Sequence, residues 1–427
     1  MSRVLDRVSH HRQAAFLLFM VLVVVSAGNN ALVSVMPTIG RQMGINDVFI
    51  AVIFSLSAVL WSVSSPFWAS RSDRIGRRRV IQIGLGGFMV SGLVFGLVVL
   101  AGLHAWLTPL TAVAGLVLTR GLFGLMGSAT TPAAQAYIAA RTSREERTGA
   151  LATLSSAFGL GTIIGPAVAP FFVLPFLGLS GPIFVFILFA GVMLYAVTRF
   201  LPADQPVAEV RAGSEVQSAP GRKQPSALSD ARVRPYLLFG FLTGSAQAAV
   251  SQSVGFFIID LSGTSPQEAQ HSIGIAMMAG AAATLLAQWG LIRLFNMRPM
   301  GLMRWGAAIA AGGCLIMALA GTFGTLVSGF ALACLGFGFT RPGYTAAASL
   351  AVPFDEQGPV AGAVGAVNGA CFIFAPAIGI ALYQVGQPVP YALSAALMAG
   401  MAAYALSRRM RPGVPAGDRR EANAAGE

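Results

Sequence analysis

The sequence predicts an all-α membrane protein with twelve transmembrane helices arranged as two pseudo-symmetric bundles of six. Three observations support this fold class. Of the 427 residues, 55% are hydrophobic and 10% are charged, whereas charged residues make up about 25% of a soluble domain. Twelve apolar runs reach the length of roughly 20 residues that a helix needs to cross a bilayer. The chain also repeats part of its pattern at an offset of 210 residues.

The predicted spans are bounded by polar residues and by Pro or Gly, which interrupt helices. In chain order they are expected at 14–37, 48–69, 80–103, 108–138, 148–174, 181–201, 236–259, 268–292, 301–321, 325–349, 358–383 and 388–407. Residues 202–234 have the polar, Pro-containing composition of a flexible linker. The expected domains are an N-terminal six-helix bundle (1–201), a cytoplasmic linker (202–234), a C-terminal six-helix bundle (235–410) and a cytoplasmic tail (411–427).

The internal repeat relates the two predicted bundles. Shifting the chain by 210 residues places Thr130 and Pro132 on Thr340 and Pro342. In many transporter folds built from parallel repeats, related by an axis along the membrane normal, the binding site lies near the midplane between the halves. The sequence therefore predicts that the functional site lies between the two bundles.

Arginines collect in alternate loops, and Arg41 alone lies on the other side. The positive loops and tails are 3–12, 71–79, 141–147, the central linker, 293–304 and 408–420. Because cytoplasmic loops carry the excess of positive charge, both termini are expected in the cytoplasm of a multi-pass inner-membrane protein. The net charge of +12 thus reflects topology rather than a nucleic-acid partner. The three cysteines lie inside predicted spans and indicate no metal site, and no cofactor is expected.

The loop between the second and third spans reads SRSDRIGRRR over residues 70–79. It resembles the corresponding loop of the major facilitator superfamily, whose pattern is a small residue, three variable positions and then Asp-Arg-x-Gly-Arg-Arg. Ala69 stands where the family usually has glycine. The resemblance implies the twelve-span major facilitator fold.

This loop is expected to act as a conformational latch. The residues assigned to it by resemblance are Asp73, Arg74, Gly76, Arg77 and Arg78. In the family the aspartate meets the start of the eleventh helix, which would begin here near Gly358. A carboxylate is stabilised there because a helix N-terminus has unpaired amides and a positive dipole end.

Two arginines, Arg120 and Arg341, lie inside predicted spans. A charged side chain at the bilayer centre costs roughly 2.5–3.5 kcal/mol on insertion scales, so such residues face the bundle interior and indicate function. The Arg120 segment resembles the fourth-helix motif of proton-coupled facilitators, which implies a part in proton transfer; a purely structural arginine is the alternative. Arg341 is also close enough to the predicted cytoplasmic edge to snorkel there.

All sixteen Asp and Glu lie in loops, tails or span ends. The sequence therefore identifies no intramembrane proton acceptor. If Arg120 and Arg341 face one cavity, the midplane is positive and favours anionic substrates.

The fifth span contains GLGTIIGPAVAP over 159–170. It resembles the antiporter signature Gly-x-x-x-Gly-Pro-x-x-Gly-Gly, with Gly161, Gly165 and Pro166 in the matching positions and Ala169-Pro170 replacing the last two glycines. Small residues and a proline produce a tightly packed, bent helix. Within the superfamily this motif favours exporters over importers.

Polar side chains near the middle of the spans are expected to line a substrate cavity, because buried amides in lipid need partners. They are Asn29, Asn30, Gln247, Ser251, Gln252 and Asn368. No enzyme activity is expected, since the spans hold no nucleophile with a base, no carboxylate pair and no His-rich cluster.

The resemblance, which covers nearly the whole chain, implies a monomeric secondary active transporter of the drug:proton antiporter branch. It would export a small organic solute or drug across the cytoplasmic membrane by alternating access, with protons as the coupling ion. Two alternatives are an importer or exchanger of an anionic metabolite, and a non-transporting membrane sensor built on a transporter fold.

Overall fold

The computed structural model describes residues 2–142, 144–174, 176–202, 229–353 and 356–407. Within these ranges the long helices are α1 Ser2–Gln42, α2 Asp47–Ile75, α3 Arg77–Leu103, α4 Pro109–Gly127, α5 Thr130–Ala139, α6 Arg144–Val168, α7 Gly181–Phe200, α8 Arg234–Ser262, α9 Pro266–Leu285, α10 Pro299–Ala318, α11 Phe323–Leu350, α12 Gln357–Val385 and α13 Val389–Leu406. A π-helical turn, Leu286–Leu291, and a last α-helical turn, Ile292–Leu294, extend α9.

Eleven spans in the described residues are long and apolar enough to cross a membrane, with α4 and α5 together forming one of them. Helix α8 is the twelfth. Its 29 residues exceed the length required, but Gln247, Ser251 and Gln252 make its centre more polar than the other spans. The predicted all-α class with twelve helices in two bundles is therefore confirmed. The domain boundaries stay a prediction, and residues 203–228 and 408–427 lie outside the described ranges.

The fourth span differs from the predicted continuous helix over 108–138. Helix α4 ends at Gly127 and α5 begins at Thr130. Pro132 has no amide to donate to the carbonyl of residue 128, four positions earlier, so the helical ladder is interrupted at this point. A similar effect ends α6 in a 3₁₀ turn, Ala169–Phe172, which contains Pro170.

The loops lie at two ends of the bundle, named here by their charge. The basic end carries the arginine-rich loops at 76, 140–142, 229–233 and 295–298. The opposite end carries the loops at 43–46, 104–108, 173–174, 176–180, 263–265, 319–322 and 386–388. Helices α1–α7 form the N-terminal half and α8–α13 the C-terminal half.

The apolar core joins the two halves at the opposite end. One cluster of buried residues contains Met36 and Ile39 of α1 together with Val254 and Ile258 of α8. At the basic end, the N-terminal half has a separate core around residues such as Leu18, with no member from the C-terminal half among the described residues. The halves therefore pack together at the opposite end and have distinct cores at the basic end.

Candidate functional site: the interface between the halves

An ion-pair cluster closes the opposite end of the interface. Arg41, near the end of α1, donates from Nη2 to Asp47 Oδ2 at 2.9 Å within its own half and to Asp260 Oδ2 of α8 at 3.2 Å in the other half. Arg41 Nη1 also pairs with Asp260 Oδ1. The Tyr383 hydroxyl of α12 donates to Asp260 Oδ2 at 2.5 Å. These four residues, called the Arg41 cluster, tie α1 and α2 to α8 and α12.

Other contacts extend this closure. Gln384 Nε2 donates to Asn46 Oδ1 at 2.9 Å. Deeper in the interface, the Thr38 hydroxyl donates to Gln270 Oε1 at 2.7 Å, and Gln270 Nε2 donates to the Ser34 carbonyl at 3.2 Å. Both Thr38 and Gln270 are buried. The N-terminal and C-terminal halves are thus hydrogen-bonded to each other from the surface to about two turns inside.

The predicted cavity amides separate into different environments. Asn30 is one turn before Ser34, whose carbonyl accepts from Gln270 of the C-terminal half. It is also one turn after Ser26, whose hydroxyl donates to the Phe158 carbonyl of α6 at 2.7 Å. Its Nδ2 donates to the Ser26 carbonyl of its own helix at 2.8 Å. Asn29 instead accepts a hydrogen bond from Arg120 inside the N-terminal half.

On α8, two predicted cavity residues face the N-terminal half. A Cβ on Gly255 would lie 2.8 Å from Pro37 Cγ of α1, so this face of α8 meets the other half. Ser251 and Gln247 precede Gly255 by one and two helical turns and share that face. Gln252 is buried, with 7% of its surface exposed. In α12, Asn368 Oδ1 accepts from the Tyr344 hydroxyl at 2.7 Å.

Arg120 is enclosed within the N-terminal half. It is 6% exposed, and its Nη2 donates to Asn29 Oδ1 of α1 at 2.6 Å. The guanidinium carbon lies 5.1 Å from the ring centre of Phe54 and 4.6 Å from that of Phe123, distances at which a cation is attracted to an aromatic face. A cavity of about 30 Å³ adjoins Arg120 and is also lined by Gly28, which is enough space for a water molecule.

Arg341 lies instead at the interface between the halves. A Cβ on Gly159 of α6 would be 3.8 Å from Arg341 Nη1, so the guanidinium reaches the other half rather than the membrane edge. Arg341 is partly exposed. The sequence suggested that both arginines could face one cavity. In the structure, Arg120 packs inside the N-terminal half, whereas Arg341 faces the interface between the halves.

The basic loop between α2 and α3 is a one-residue turn. Gly76 adopts φ 94° and ψ 133°, and its amide donates to the Ser72 carbonyl at 3.1 Å. Arg78 Nη2 donates to the Thr198 carbonyl near the end of α7, where the dipole of a helix C-terminus favours a cation. Arg74 is exposed and Arg77 partly exposed. The side chain of Asp73 and the surroundings of Gly358 lie outside what the structure describes, so the latch stays a prediction.

Replacing Gly76 by alanine is expected to lower the melting temperature of the protein by several degrees. Backbone angles at positive φ outside the left-handed helical region cost a residue with a side chain on the order of 1–3 kcal/mol. Gly86→Ala in α3 is the control, because a Cβ there meets nothing within 4 Å and alanine favours the helix. Equal melting temperatures for the two variants in detergent would contradict the strained turn.

The glycines of the α6 motif permit close packing against α1. A Cβ on Gly161 would lie 2.6 Å from the Val23 carbonyl oxygen, and a Cβ on Gly165 would clash with the Ala27 carbonyl oxygen. Pro166 lies inside α6, one residue after Gly165. Glycines of this kind let two membrane helices approach with their backbones in contact. The motif therefore holds α6 against the helix that carries Asn29, Asn30 and Arg41.

Gly165→Ala is expected to reduce folded protein and transport sharply, because its methyl group meets backbone atoms that cannot rotate away. Gly149→Ala in the same helix should leave both unchanged, since a Cβ there meets nothing within 4 Å. Yield after size-exclusion chromatography and transport per folded molecule would be measured for each. Wild-type values for Gly165→Ala would show that the close approach of α1 and α6 is not required.

A polar contact at the basic end lies within the C-terminal half. Arg232, just before α8, pairs with Asp230 and with Glu356 at the start of α12. The hydrogen bonds from Arg232 hold the pKa of the Asp230 carboxyl below its usual range. This contact fixes the segment before α8 to the helix that the predicted latch would meet.

The sequence reasoning missed the Arg41 cluster. It placed Arg41 on the side away from the cytoplasm and every acid in a loop, tail or span end, and it did not pair Arg41 with Asp47 or Asp260. One signal was available, since Arg41 is the single basic residue on its side of the predicted topology and both acids are predicted at the same edge. Tyr383 carried no such signal, because the position of a tyrosine in a span does not indicate its partner.

Comparisons with known proteins agree with this architecture. The chain matches the family model of the Major Facilitator Superfamily over residues 18–376. Multidrug resistance protein 2 of Bacillus subtilis (strain 168) is 26% identical over 386 residues, which cover 87% of this chain and 89% of that protein. Multidrug resistance protein MdtG of Proteus mirabilis (strain HI4320) is 27% identical over 271 residues, 61% of this chain and 62% of that protein.

Two solved structures share the fold. The human organic anion transporter MFSD10 (TETRAN) has a TM-score of 0.61 and 17% identity, covering 92% of this chain and 99% of that chain. The nucleoside transporter NupG has a TM-score of 0.67 and 12% identity, with the same coverage. At these identities the likeness concerns the fold alone. Because the family model spans most of the sequence, the chain belongs to the Major Facilitator Superfamily and is a membrane transporter rather than an enzyme.

Proposed function

We propose that the protein exports a small organic solute from the cytoplasm by alternating access, in exchange for protons. It would act as a monomer in the inner membrane, with the basic end and both termini in the cytoplasm. The observation that carries this proposal is the closure of the opposite end by the Arg41 cluster, together with separate cores at the basic end. An exporter needs such a state to accept its solute from the cytoplasm.

Further features support export. Helix α6 carries the antiporter-type motif and packs its glycines against α1, the helix that supplies Arg41 to the closed end. Curated relatives are named multidrug resistance proteins. Positive loops at the basic end would place that end in the cytoplasm.

The test uses everted membrane vesicles with an imposed proton gradient and a pH-sensitive dye inside. Cationic, neutral and anionic solutes are added separately, and vesicles from cells lacking the protein serve as the control. Proton antiport predicts that at least one solute collapses the gradient only when the protein is present. No protein-dependent response to any solute, beside a robust response from a known antiporter, would contradict proton antiport.

A second candidate is an importer or exchanger of an anionic metabolite. One observation favours it: Arg341 faces the interface without an ion-pair partner among the described residues. Counterflow separates the two candidates, because an exchanger accumulates labelled anion against unlabelled anion with no proton gradient, whereas the proposed antiporter needs the gradient for net accumulation.

A further inference from the structure

Four residues from both halves lie at a similar depth in the membrane. They are Ser62 of α2, Gly159 of α6, Arg341 of α11 and Asn368 of α12. Each is eight to ten residues from the basic end of its membrane span, which at 1.5 Å per residue is roughly 12–15 Å into the membrane. The hydrocarbon core is about 30 Å thick. The opposite ends of the same spans are farther away, so this group, called the Arg341 layer, lies inside the membrane on the side of the midplane nearer the basic end.

Two contacts cross the interface at this depth. Arg341 Nη1 lies 3.8 Å from a Cβ on Gly159, and Ser62 Oγ lies 3.9 Å from a Cβ on Gly369, the neighbour of Asn368. Both distances join the C-terminal half to the N-terminal half. The two halves therefore meet at this depth inside the membrane, and a solute bound between parallel repeats lies at such an interface.

Arg341 is the charged residue of this layer, and it is not neutralised within the described chain. Its guanidinium makes no ion pair or hydrogen bond with the described residues, and all sixteen acids lie in loops, tails or span ends. Its neighbour Tyr344, three residues along the same helix face, already donates its hydroxyl to Asn368 Oδ1 at 2.7 Å. The guanidinium therefore has its planar set of N–H donors free to bind an anion.

We propose that Arg341 binds an acidic group of the transported solute at the interface of the two halves. This proposal rests on the transport function proposed above and names the substrate class as organic acids, carboxylates above all. The planar guanidinium matches the two oxygens of a carboxylate. Gly159 leaves space for that group, since a side chain at this position would come up against the guanidinium.

The test measures binding to the purified full-length protein in nanodiscs. The probes are aliphatic and aromatic carboxylates, each paired with its own primary amide, so that the members of a pair differ mainly in charge. Wild-type protein should bind at least one carboxylate about tenfold or more tightly than its amide, because a charge-assisted hydrogen bond is replaced by a neutral one.

Three variants identify the residue responsible. Arg341→Gln should bring the carboxylate and amide affinities together, and Arg341→Lys should keep part of the preference because it retains the charge but not the planar fork. Arg293→Gln removes an exposed arginine of the same half and should keep the full preference. If Arg341→Gln does not give a monodisperse protein, the comparison of Arg341→Lys with wild type decides.

Two results would overturn the proposal. One is a wild-type protein that binds no carboxylate of the panel more tightly than its amide. The other is a full preference in Arg341→Gln, or in Arg341→Lys where that variant decides. The vesicle assay reports separately on proton antiport. A gradient collapse caused by neutral or cationic solutes, with no acid preference in binding, would overturn this proposal alone, whereas an acid preference without a proton response would contradict the antiport mechanism alone.

Discussion

Replacing Arg120 by alanine or by lysine is expected to abolish transport while the protein still inserts and folds. Arg120 links α4 to Asn29 of α1 through a 2.6 Å hydrogen bond and lies against the rings of Phe54 and Phe123. Losing these contacts removes on the order of 3 kcal/mol, equivalent to about a hundredfold in rate if they are needed for the transport step. Lysine keeps the charge, but it lacks the planar guanidinium that donates to Asn29 and lies over the two aromatic rings at the same time.

Transport by the Arg120 variants would be measured in vesicles and normalised to folded protein. Leu118→Ala is the matched control, because Leu118 lies two residues away on the same helix and is 73% exposed. It should transport at the wild-type rate. Wild-type transport by both Arg120→Ala and Arg120→Lys would show that Arg120 is only structural.

Neutralising Asp260 or Arg41 is expected to open the opposite end of the interface. Asp260→Asn or Arg41→Ala breaks the charge pair between α1 and α8. Both side chains are partly exposed, 22% for Arg41 and 27% for Asp260, so the pair is worth about 1–1.5 kcal/mol. The open population should then rise roughly fivefold to tenfold.

The open population can be read from a cysteine at Ser34. Ser34 is buried, and its carbonyl accepts from Gln270 across the interface. In a background without the native cysteines, an impermeant thiol reagent applied to the opposite end should label Ser34→Cys faster in both neutralised variants.

Asp47→Asn is the control for the Arg41 cluster, because it breaks the pair within the N-terminal half and leaves the pair between the halves. Its labelling rate should stay near wild type, and exchanging the charges as Arg41→Asp with Asp260→Arg should restore slow labelling. Equal labelling of all the variants would show that the ion pair does not hold this end closed.

Much of the fold could be predicted from the sequence because the bilayer limits the possible structures. Apolar runs of sufficient length must form helices, and their number and order follow directly. The break between α4 and α5 was visible in principle at Pro132, but helices in membranes often continue through proline. Helix α8 was predicted as a span despite its polar centre, because its flanks are apolar. It is the least hydrophobic of the twelve spans.

The site was less predictable because partners depend on how each helix is rotated. Asn29 and Asn30 are adjacent in sequence, yet a helix turns by about 100° per residue. One therefore meets Arg120 within the N-terminal half, and the other bonds to the Ser26 carbonyl of its own helix. The same uncertainty applies to Arg341, whose position allowed either snorkelling or the interface until the approach to Gly159 was known. Residue type and depth indicate that a polar side chain needs a partner, and packing decides which one.

The most direct test of alternating access is a reversible cross-link at the opposite end. Asn46 and Gln384 are exposed, belong to different halves and are hydrogen-bonded at 2.9 Å. With both replaced by cysteine, a short bis-methanethiosulfonate reagent, which forms a disulfide with each thiol, should join the halves and stop transport, and a reductant that cleaves those disulfides should restore it. The same reagent on either single-cysteine variant should have no effect. Undiminished transport by the fully cross-linked protein would show that this end does not open during the cycle.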